Sequence, residues 1–382
     1  MILKPEHLEI QRVARDFTTR EIVPYARHWE TAGSVPSQVL RALGGLGFMG
    51  LCVTPEWGGA GADFVSYVVA VEEIAAGDCG LCNMMCVNNS PNCAALQDHG
   101  TAAQKERFLR PLATGEQTSA FLLTEAGAGS DAAAITTRAV RRGDRFVLDG
   151  SKYFVTAGRS AEVALIVAVT DPGAGKRGIS CFLTPTNVPG YRVVREEQKL
   201  GQRAADTCQI ALEGLEIPAE YLLGAPGQGY QIALAYLEQG RIGVAAQALG
   251  VARAAFDAAL TYAQQRQTFG KSLIDHQAIN FKLADMATAL EAARQLTWHA
   301  AALKDARRPC LKEASMAKLA ASEIAERVCS AAIQIHGGYG YLADFPVEKY
   351  YRDARVLSIY EGTNEIQRLV IGRALGADRN RG

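Results

Sequence analysis

Apolar residues recur along the first third of the chain at helical spacing. Ile10, Val13 and Phe17 follow Pro5, which suits a first helical turn, and the run stops before Pro24. Trp57-Gly58-Gly59-Ala60-Gly61-Ala62-Asp63 reads as a loop, after which helical spacing resumes with Val68, Val71, Glu72 and Ile74. From about residue 119 the texture changes to short apolar runs. Arg145–Leu148 and Lys152–Thr156 flank Asp149-Gly150 and predict a hairpin about that pair. Further strands are expected over 163–169, 178–183 and 191–194, punctuated by Pro172, Pro185, Pro189 and Pro218. No long helical pattern interrupts the series, so an antiparallel β domain fits better than a parallel α/β sheet. Helical spacing returns from about residue 227. Ile279, Leu283, Met286 and Leu290 share one face, and Ala320, Ile324, Val328, Ala331 and Ile335 share another. The many alanines allow close helix packing, as in a bundle. The expected α+β chain is therefore an N-terminal helical domain over 1–118, a middle β domain over 119–226 and a C-terminal helical bundle over 227–382. Residues 377–382 read as a solvated tail.

Composition narrows the partners. Forty basic residues balance forty acidic ones among 382, so no global field favours nucleic acid or an anionic membrane. A polyanionic ligand would need a few local Arg or Lys side chains and backbone N–H groups. No uninterrupted apolar window of about twenty residues occurs, so no membrane span is expected. Met1-Ile2-Leu3-Lys4-Pro5-Glu6-His7 lacks the basic and apolar regions of an export signal. The nine cysteines are an odd number in a long chain, which suits reduced thiols and a cytoplasmic location. Cys79, Cys82, Cys86 and Cys93 lie close in sequence. Their neighbours Leu81, Met84, Met85 and Val87 are apolar, however, and paired zinc knuckles are absent, so no metal site is expected. No Gly-x-Ser-x-Gly elbow supports a serine hydrolase.

Four segments could carry chemistry. Phe121 to Asp131 runs from an apolar strand into a loop of small residues, where backbone N–H groups and the hydroxyls of Thr124 and Ser130 could meet a flat or anionic ligand. It is neither a Walker loop nor a Rossmann fingerprint, and taken in isolation such a glycine loop is more often a tight structural turn. Arg266-Gln267-Thr268-Phe269-Gly270, followed by His276-Gln277, also fits an exposed helix connection. Gln334-Ile335-His336-Gly337-Gly338 also fits a helix C-terminus capped in the left-handed conformation. In Tyr360-Glu361-Gly362-Thr363-Asn364-Glu365 a carboxylate stands at a helix junction. A cleft there would raise its pKa towards a general base's range; on a solvated surface it would merely adjoin a helix start capped by Thr363.

Together these segments resemble the acyl-CoA dehydrogenase family. The resemblance runs in order from Pro55–Gly61 to the C-terminus through Thr124-Glu125-x-Gly-x-Gly-Ser130-Asp131, Arg266-x-Thr-Phe-Gly270, Gln334-x-x-Gly-Gly338 and Tyr360-Glu361-Gly362-Thr363. Val87–Ser90, Gly240–Gly243 and Phe281–Ala287 are similar to the short-chain members. The resemblance implies helical, β and four-helix-bundle domains, with FAD in a cleft between domains and across a subunit interface. It implies that Glu361 is the base that takes the proton α to the thioester carbonyl while hydride leaves the β carbon for the flavin. The carbonyl oxygen would be held by the Glu361 backbone N–H and a ribityl hydroxyl of FAD. Some members carry the base at the position of Gly240, which cannot serve here. Glu238, two residues away, matches a contact to the CoA part, and Arg241 anchors the substrate region.

The implied flavin contacts are Phe121, Leu123, Thr124, Gly129, Ser130, Phe154, Thr156, Thr363 and Glu365. Arg266, Thr268, Phe269, Gln277, Gln334, Gly337 and Gly338 would reach FAD from a neighbouring subunit, which implies a homotetramer built as two dimers. Ser130, Tyr360 and Gly362 are expected on the substrate side. Electrons would pass to an electron-transfer flavoprotein. Where the family often has Trp-Ile-Thr, this chain has Phe154-Val155-Thr156, a smaller ring without the indole N–H. The implied reaction is α,β-dehydrogenation of a short-chain acyl-CoA to the trans-2-enoyl-CoA. The readings set against it are a branched or functionalised acyl-CoA, as in desulfinase-like relatives, and a non-catalytic helical scaffold.

Overall fold

The computed structural model describes residues 1–378. Helices fill the chain up to residue 113, a sheet follows between 119 and 223, and long helices return from 229. Eight helices position the site: α1 (Pro5–Phe17), α2 (Phe64–Gly77), α3 (Cys79–Val87), α4 (Gly229–Gln265), α5 (Gln277–Asp305), α6 (Leu311–His336), α7 (Val347–Ala354) and α8 (Asn364–Asp378). Of the expected tail, Ala377 and Asp378 belong to α8, and 379–382 lie outside the described residues.

Helix α2 is apolar on nearly every side because it is enclosed by α1, α4 and α5. Its N-terminus carries two carboxylates. Asp63 accepts from Ser66 N (2.8 Å), and Asp305, the last residue of α5, accepts from Phe64 N (2.6 Å) and Val65 N (3.0 Å). Farther along α2, Glu72 and Glu73 are buried and paired. Glu72 meets Arg294 of α5 at 3.0 Å; Glu73 meets Arg253 of α4 and Arg15 of α1, each at 2.7 Å. One helix thus ties the first region to the bundle by charge as well as by packing. Between α2 and α4 the backbones nearly touch: a Cβ at Gly250 would stand 2.3 Å from the Glu72 carbonyl oxygen. By length and composition α4 could cross a membrane, yet 72% of its most apolar stretch is buried inside the protein, as in a core helix.

The sheet comprises β1 (Ser119–Leu122), β2 (Arg138–Arg142), β3 (Arg145–Thr156), β4 (Val163–Val169), β5 (Ile179–Pro185), β6 (Tyr191–Glu196), β7 (Thr207–Pro218) and β8 (Leu222–Leu223). Its order is β6-β7-β3-β2-β4-β5-β8, with β1 also on β4. It is mixed rather than purely antiparallel. β1 runs parallel to β4 from Ser119↔Val163 to Leu122↔Ile166, and β2 meets β4 in parallel at Arg138↔Val169. The reason is topological: β1 arrives from the helices and joins β4 through a long crossover, so no tight hairpin forces the two antiparallel.

The hairpin expected about Asp149-Gly150 is a second correction. β3 runs straight through that pair with a register shift against β7, and the turn lies at Gly143-Asp144, where Gly143 has φ 62°. Gly150 serves a close crossing instead, since a Cβ there would stand 2.4 Å from Thr137 Oγ1.

The α2–α4 contact sets a stability test. Gly250→Val should cost about 1–3 kcal/mol through overpacking against the α2 backbone, read as a lower midpoint in chemical denaturation. An unchanged midpoint would show that the two helices can separate freely.

Candidate active site

Glu361 sits on the link between a turn at Arg355–Ser358 and α8. The chain reverses there through two residues of positive φ, Glu361 at 55° and Gly362 at 87°. Glycine suits the second position, because a Cβ on Gly362 would stand 2.8 Å from Gln367 Nε2. The turn is held from both sides. Lys318 Nζ of α6 (2.9 Å) and Gln367 Nε2 of α8 (2.8 Å) both donate to the Gly362 carbonyl. Thr363 then caps α8, its Oγ1 accepting a long bond from Ile366 N at 3.4 Å.

This turn drives the carboxylate inward rather than leaving it on a helix start. Glu361 Oε2 is buried and has no hydrogen-bond partner. It lies against α4, where a Cβ on Gly240 would come within 2.7 Å of it. Gly240 therefore makes the space that the carboxylate fills. Desolvation raises the Glu361 pKa to about 7, against the opposing pull of the Arg241 and Lys318 charges. A buried acceptor that is unpartnered and half-ionised near neutrality is suited to taking a proton from a bound molecule.

Tyr360 is fixed by a polar chain that sequence reasoning missed. Its hydroxyl donates to Gln247 Oε1 of α4 and accepts from Gln202 Nε2 at 3.4 Å. Gln202, in the link before β7 and at φ 49°, also donates its backbone N–H to Asp353 of α7 and its amide to Cys79 Sγ of α3 at 3.2 Å. Asp353 is paired with Lys349 at 2.6 Å, and Lys349 reaches Asp78, the cap of α3, at 2.9 Å. Three regions of the chain thus meet behind Tyr360. Only the Tyr360-Glu361 motif gave a local signal for this; its partners lie scattered in sequence.

The expected flavin-side segments also come together. Tyr153 N donates to Thr124 O at 2.9 Å, which sets the loop after β1 beside Phe154–Thr156. Beneath them lies Lys152, fully buried, donating to Leu123 O (3.0 Å) and Glu125 Oε1 (2.9 Å). Glu125 accepts in turn from Thr136 N (2.7 Å) and Thr137 N (3.0 Å), and its pKa falls to about 2 despite burial, through the Lys152 charge and these bonds. In sequence Lys152 reads only as the start of a strand and has no evident partner, because Leu123 and Glu125 lie in a distant segment. On this base the outer residues are open. Phe154 is 66% exposed at φ 57°, and Gly129 and Ser130 are exposed. Phe121 and Thr124 are partly exposed, and Leu123 is buried. Thr156 Oγ1 accepts from Asn83 of α3 at 3.3 Å. An open aromatic face beside hydroxyls and a small-residue loop fits a flat heteroaromatic group such as the isoalloxazine of FAD.

Glu238 and Arg241 stand one helical turn apart on α4. Glu238 Oε1 accepts from Cys310 Sγ at 3.3 Å and borders a cavity of about 570 Å³ together with Tyr67, Ser90, Lys304, Arg307 and Arg308. Arg241 Nη1 donates to Ser315 Oγ at 3.3 Å, and its Nε is buried without a partner. Glu365 is exposed on the first turn of α8.

The remaining expected residues are not brought to Glu361 within one chain. Arg266 follows α4, and at 1.5 Å per residue it lies about 39 Å along that helix from Gly240. Thr268 and Phe269 are in the next hairpin, Gln277 opens α5, and Gln334, Gly337 and Gly338 end α6. The Arg266 guanidinium stacks over the Tyr339 ring at 5.8 Å, which brings the chain after α4 beside the chain after α6. Phe269 is 97% exposed. Gly337 has φ 62° but ψ −137°, so it leaves the helix outside the left-handed helical region expected for a capping glycine.

The four clustered cysteines, Cys79, Cys82, Cys86 and Cys93, are buried thiols, with Cys82 and Cys86 Sγ 4.0 Å apart. Among the described residues no group of three or more His, Cys, Asp or Glu side chains could hold a metal.

A buried, unpartnered carboxylate and an open aromatic face beside a small-residue loop, on an α–β–α frame, are the parts that a flavin-dependent dehydrogenase would need. Comparisons with known proteins place the chain more closely. It matches the acyl-CoA dehydrogenase N-terminal domain over residues 4–116, the middle domain over 120–215 and the C-terminal domain over 227–376. It is 45% identical to the mitochondrial short-chain specific acyl-CoA dehydrogenase of Rattus norvegicus over 369 residues, 97% of this chain and 90% of that protein. The structure of butyryl-CoA dehydrogenase from Megasphaera elsdenii superposes with a TM-score of 0.96 at 40% identity, covering 98% and 99% of the two chains. A chain from a structure of the electron transferring flavoprotein of Acidaminococcus fermentans gives 0.97 at 42% identity, with the same coverage. This chain belongs to the acyl-CoA dehydrogenase family, FAD-dependent oxidoreductases.

Burial of Glu361 predicts a pH signature in stability. Its folded pKa is raised, so ionisation opposes folding. The penalty is absent below the ordinary value of 4.5, grows as pH rises and is complete above about 7. Glu361→Gln should therefore be more stable than the parent at pH 8, by up to about 3 kcal/mol, and nearly equal to it at pH 4. Equal melting temperatures at both pH values would show that the carboxylate is solvated.

Proposed function

We propose that the protein dehydrogenates a short-chain acyl-CoA to its trans-2-enoyl-CoA, with Glu361 as the base. The unpartnered, buried Glu361 Oε2 against Gly240 is the observation that carries this reading. The α proton of a thioester is a weak acid, so the site must help on two counts. Desolvation makes Glu361 a stronger base than a free carboxylate, and hydrogen bonds to the carbonyl oxygen stabilise developing enolate charge. FAD, when bound, supplies the hydride acceptor for the β carbon. Leu123, Thr124, Phe154 and Thr156 would hold its ring, with Phe121, Gly129, Ser130, Thr363 and Glu365 as further contacts.

The CoA end fits the cavity at Glu238. Lys304, Arg307 and Arg308 line it beside that carboxylate, which suits the phosphates of an otherwise polar tail. Arg241 would anchor the substrate region, and Ser130, Tyr360 and Gly362 would border the thioester. A short, four-carbon acyl group is supported by the relatives, with branched or functionalised short chains as the second choice. Family membership sets the scaffold reading aside.

Two partners complete the proposal. An electron-transfer flavoprotein is the acceptor, in keeping with the similarity to the Acidaminococcus chain. A second copy of this chain is the other. Arg266, Thr268, Phe269, Gln277, Gln334, Gly337 and Gly338 would reach the flavin of a neighbouring protomer, which their distance along the helices from Glu361 supports. The assembly we favour is a tetramer of two dimers.

Anaerobic mixing of the FAD-loaded protein with CoA thioesters from propionyl to octanoyl, and with isobutyryl, isovaleryl and glutaryl, tests the reaction. Butyryl-CoA should bleach the oxidised flavin fastest, and Glu361→Gln should bind it yet bleach at least about a thousandfold more slowly. Fastest bleaching by a branched or dicarboxylic thioester would move the substrate to the second reading, and no bleaching by any would contradict dehydrogenation of these acyl groups.

A further inference from the structure

We propose that Lys318 is a positioning residue for Glu361: its buried ammonium locks the Glu361-Gly362 turn and supplies a positive field that keeps the carboxylate ionisable. The inference rests on Glu361 being the base.

Lys318 lies in the middle of α6 with none of its surface exposed. Lysine is rarely buried without a carboxylate partner. Here Nζ instead donates to two neutral oxygens, Gly362 O at 2.9 Å and Asn364 Oδ1 at 3.0 Å. Asn364 Oδ1 is itself held by Ser322 Oγ at 3.1 Å, so the amide oxygen is aimed at the ammonium. A neutral donor could make the same two bonds at lower desolvation cost. The charge therefore needs a use, and the nearest function for it is electrostatic.

The charged groups facing Lys318 come from each element packed against it. Glu361 lies on the turn, Glu365 on α8, Glu326 on α6 itself and Arg241 on α4. Glu365 is exposed, Glu326 is bound by Arg355 (3.2 Å) and Ser358, and Arg241 is a second cation. Glu361 is the one carboxylate among them with a buried, unpartnered oxygen. Burial lowers Lys318 to about 8, so it remains mostly charged at neutral pH. Its sign is the one needed: a cation stabilises the ionised carboxylate and lowers the Glu361 pKa against desolvation. Without it the base would stay protonated further above neutrality. The contact with Gly362 O adds a geometric part, because it fixes the backbone from which the carboxylate projects.

The test titrates Glu361 itself. In the FAD-loaded enzyme, the infrared carboxyl C=O band lost in Glu361→Gln identifies the group, and its intensity against pH gives the midpoint. Lys318→Met, which keeps length and removes charge, should raise that midpoint by on the order of one pH unit. Flavin bleaching by butyryl-CoA should then slow by about fivefold at pH 7 and recover at higher pH. Lys318→Arg should leave the midpoint near that of the parent. A folded Lys318→Met protein with an unmoved midpoint overturns the proposal. Should that variant fail to fold, Asn364→Asp decides on the same terms. It places a carboxylate beside Nζ, so it should raise the midpoint, and an unmoved or lowered one overturns the inference. Unimpaired bleaching by Glu361→Gln would instead refute the base assignment, leaving the infrared midpoint to judge Lys318 separately.

Discussion

The site depends on placing a carboxylate in a space where nothing in the protein bonds one of its oxygens. Water would ordinarily solvate Glu361; here α4 comes up against it at Gly240, and desolvation raises its pKa towards neutrality. Such a group is held in place only if the surroundings over-determine its position. The Glu361-Gly362 turn has two positive φ angles, and two separate helices bond its carbonyl. The cost of that conformation and of the bare oxygen is spread over the packing of α4, α6 and α8.

The rest of the fold brings distant pieces of chain to that turn. Buried Glu72 and Glu73 of α2 fasten α1, α4 and α5 together, which fixes the height of α4 and so of Gly240. Gln202 links the sheet region to α7, α3 and Tyr360, one residue from Glu361. In the sheet region, the buried Lys152–Glu125 pair and the Tyr153 N–Thr124 O bond set the loop at Thr124 beside Phe154 and Thr156. An unpartnered buried carboxylate and an open aromatic platform are the two parts that removal of a proton and a hydride from neighbouring carbons would need. Proximity and orientation supply much of the rate in such a geometry.

The sequence made some of this legible and hid the rest for physical reasons. Helical periods in α5 and α6 were readable because burial on one side leaves a spacing behind. The hairpin was misplaced because Asp-Gly is also what a bulged strand needs where another chain segment crosses, and Gly150 meets Thr137 in that way. The antiparallel expectation missed β1, whose partner is set by a crossover and not by a local turn. Glu361 stood out through its neighbours in sequence. Lys318, Gln202 and Lys152 did not, since their partners lie 44, 158 and 27 residues away and single polar residues in apolar runs look like interruptions.

The central claim is that Glu361 exchanges a proton with the α carbon of a bound thioester. Mixing the FAD-loaded protein with excess butyryl-CoA in heavy water, without an electron acceptor, and following the thioester by mass spectrometry tests it most directly. The account predicts deuterium at the α carbon with the parent protein and none above the uncatalysed background with Glu361→Gln. Incorporation that persists in the variant would contradict it.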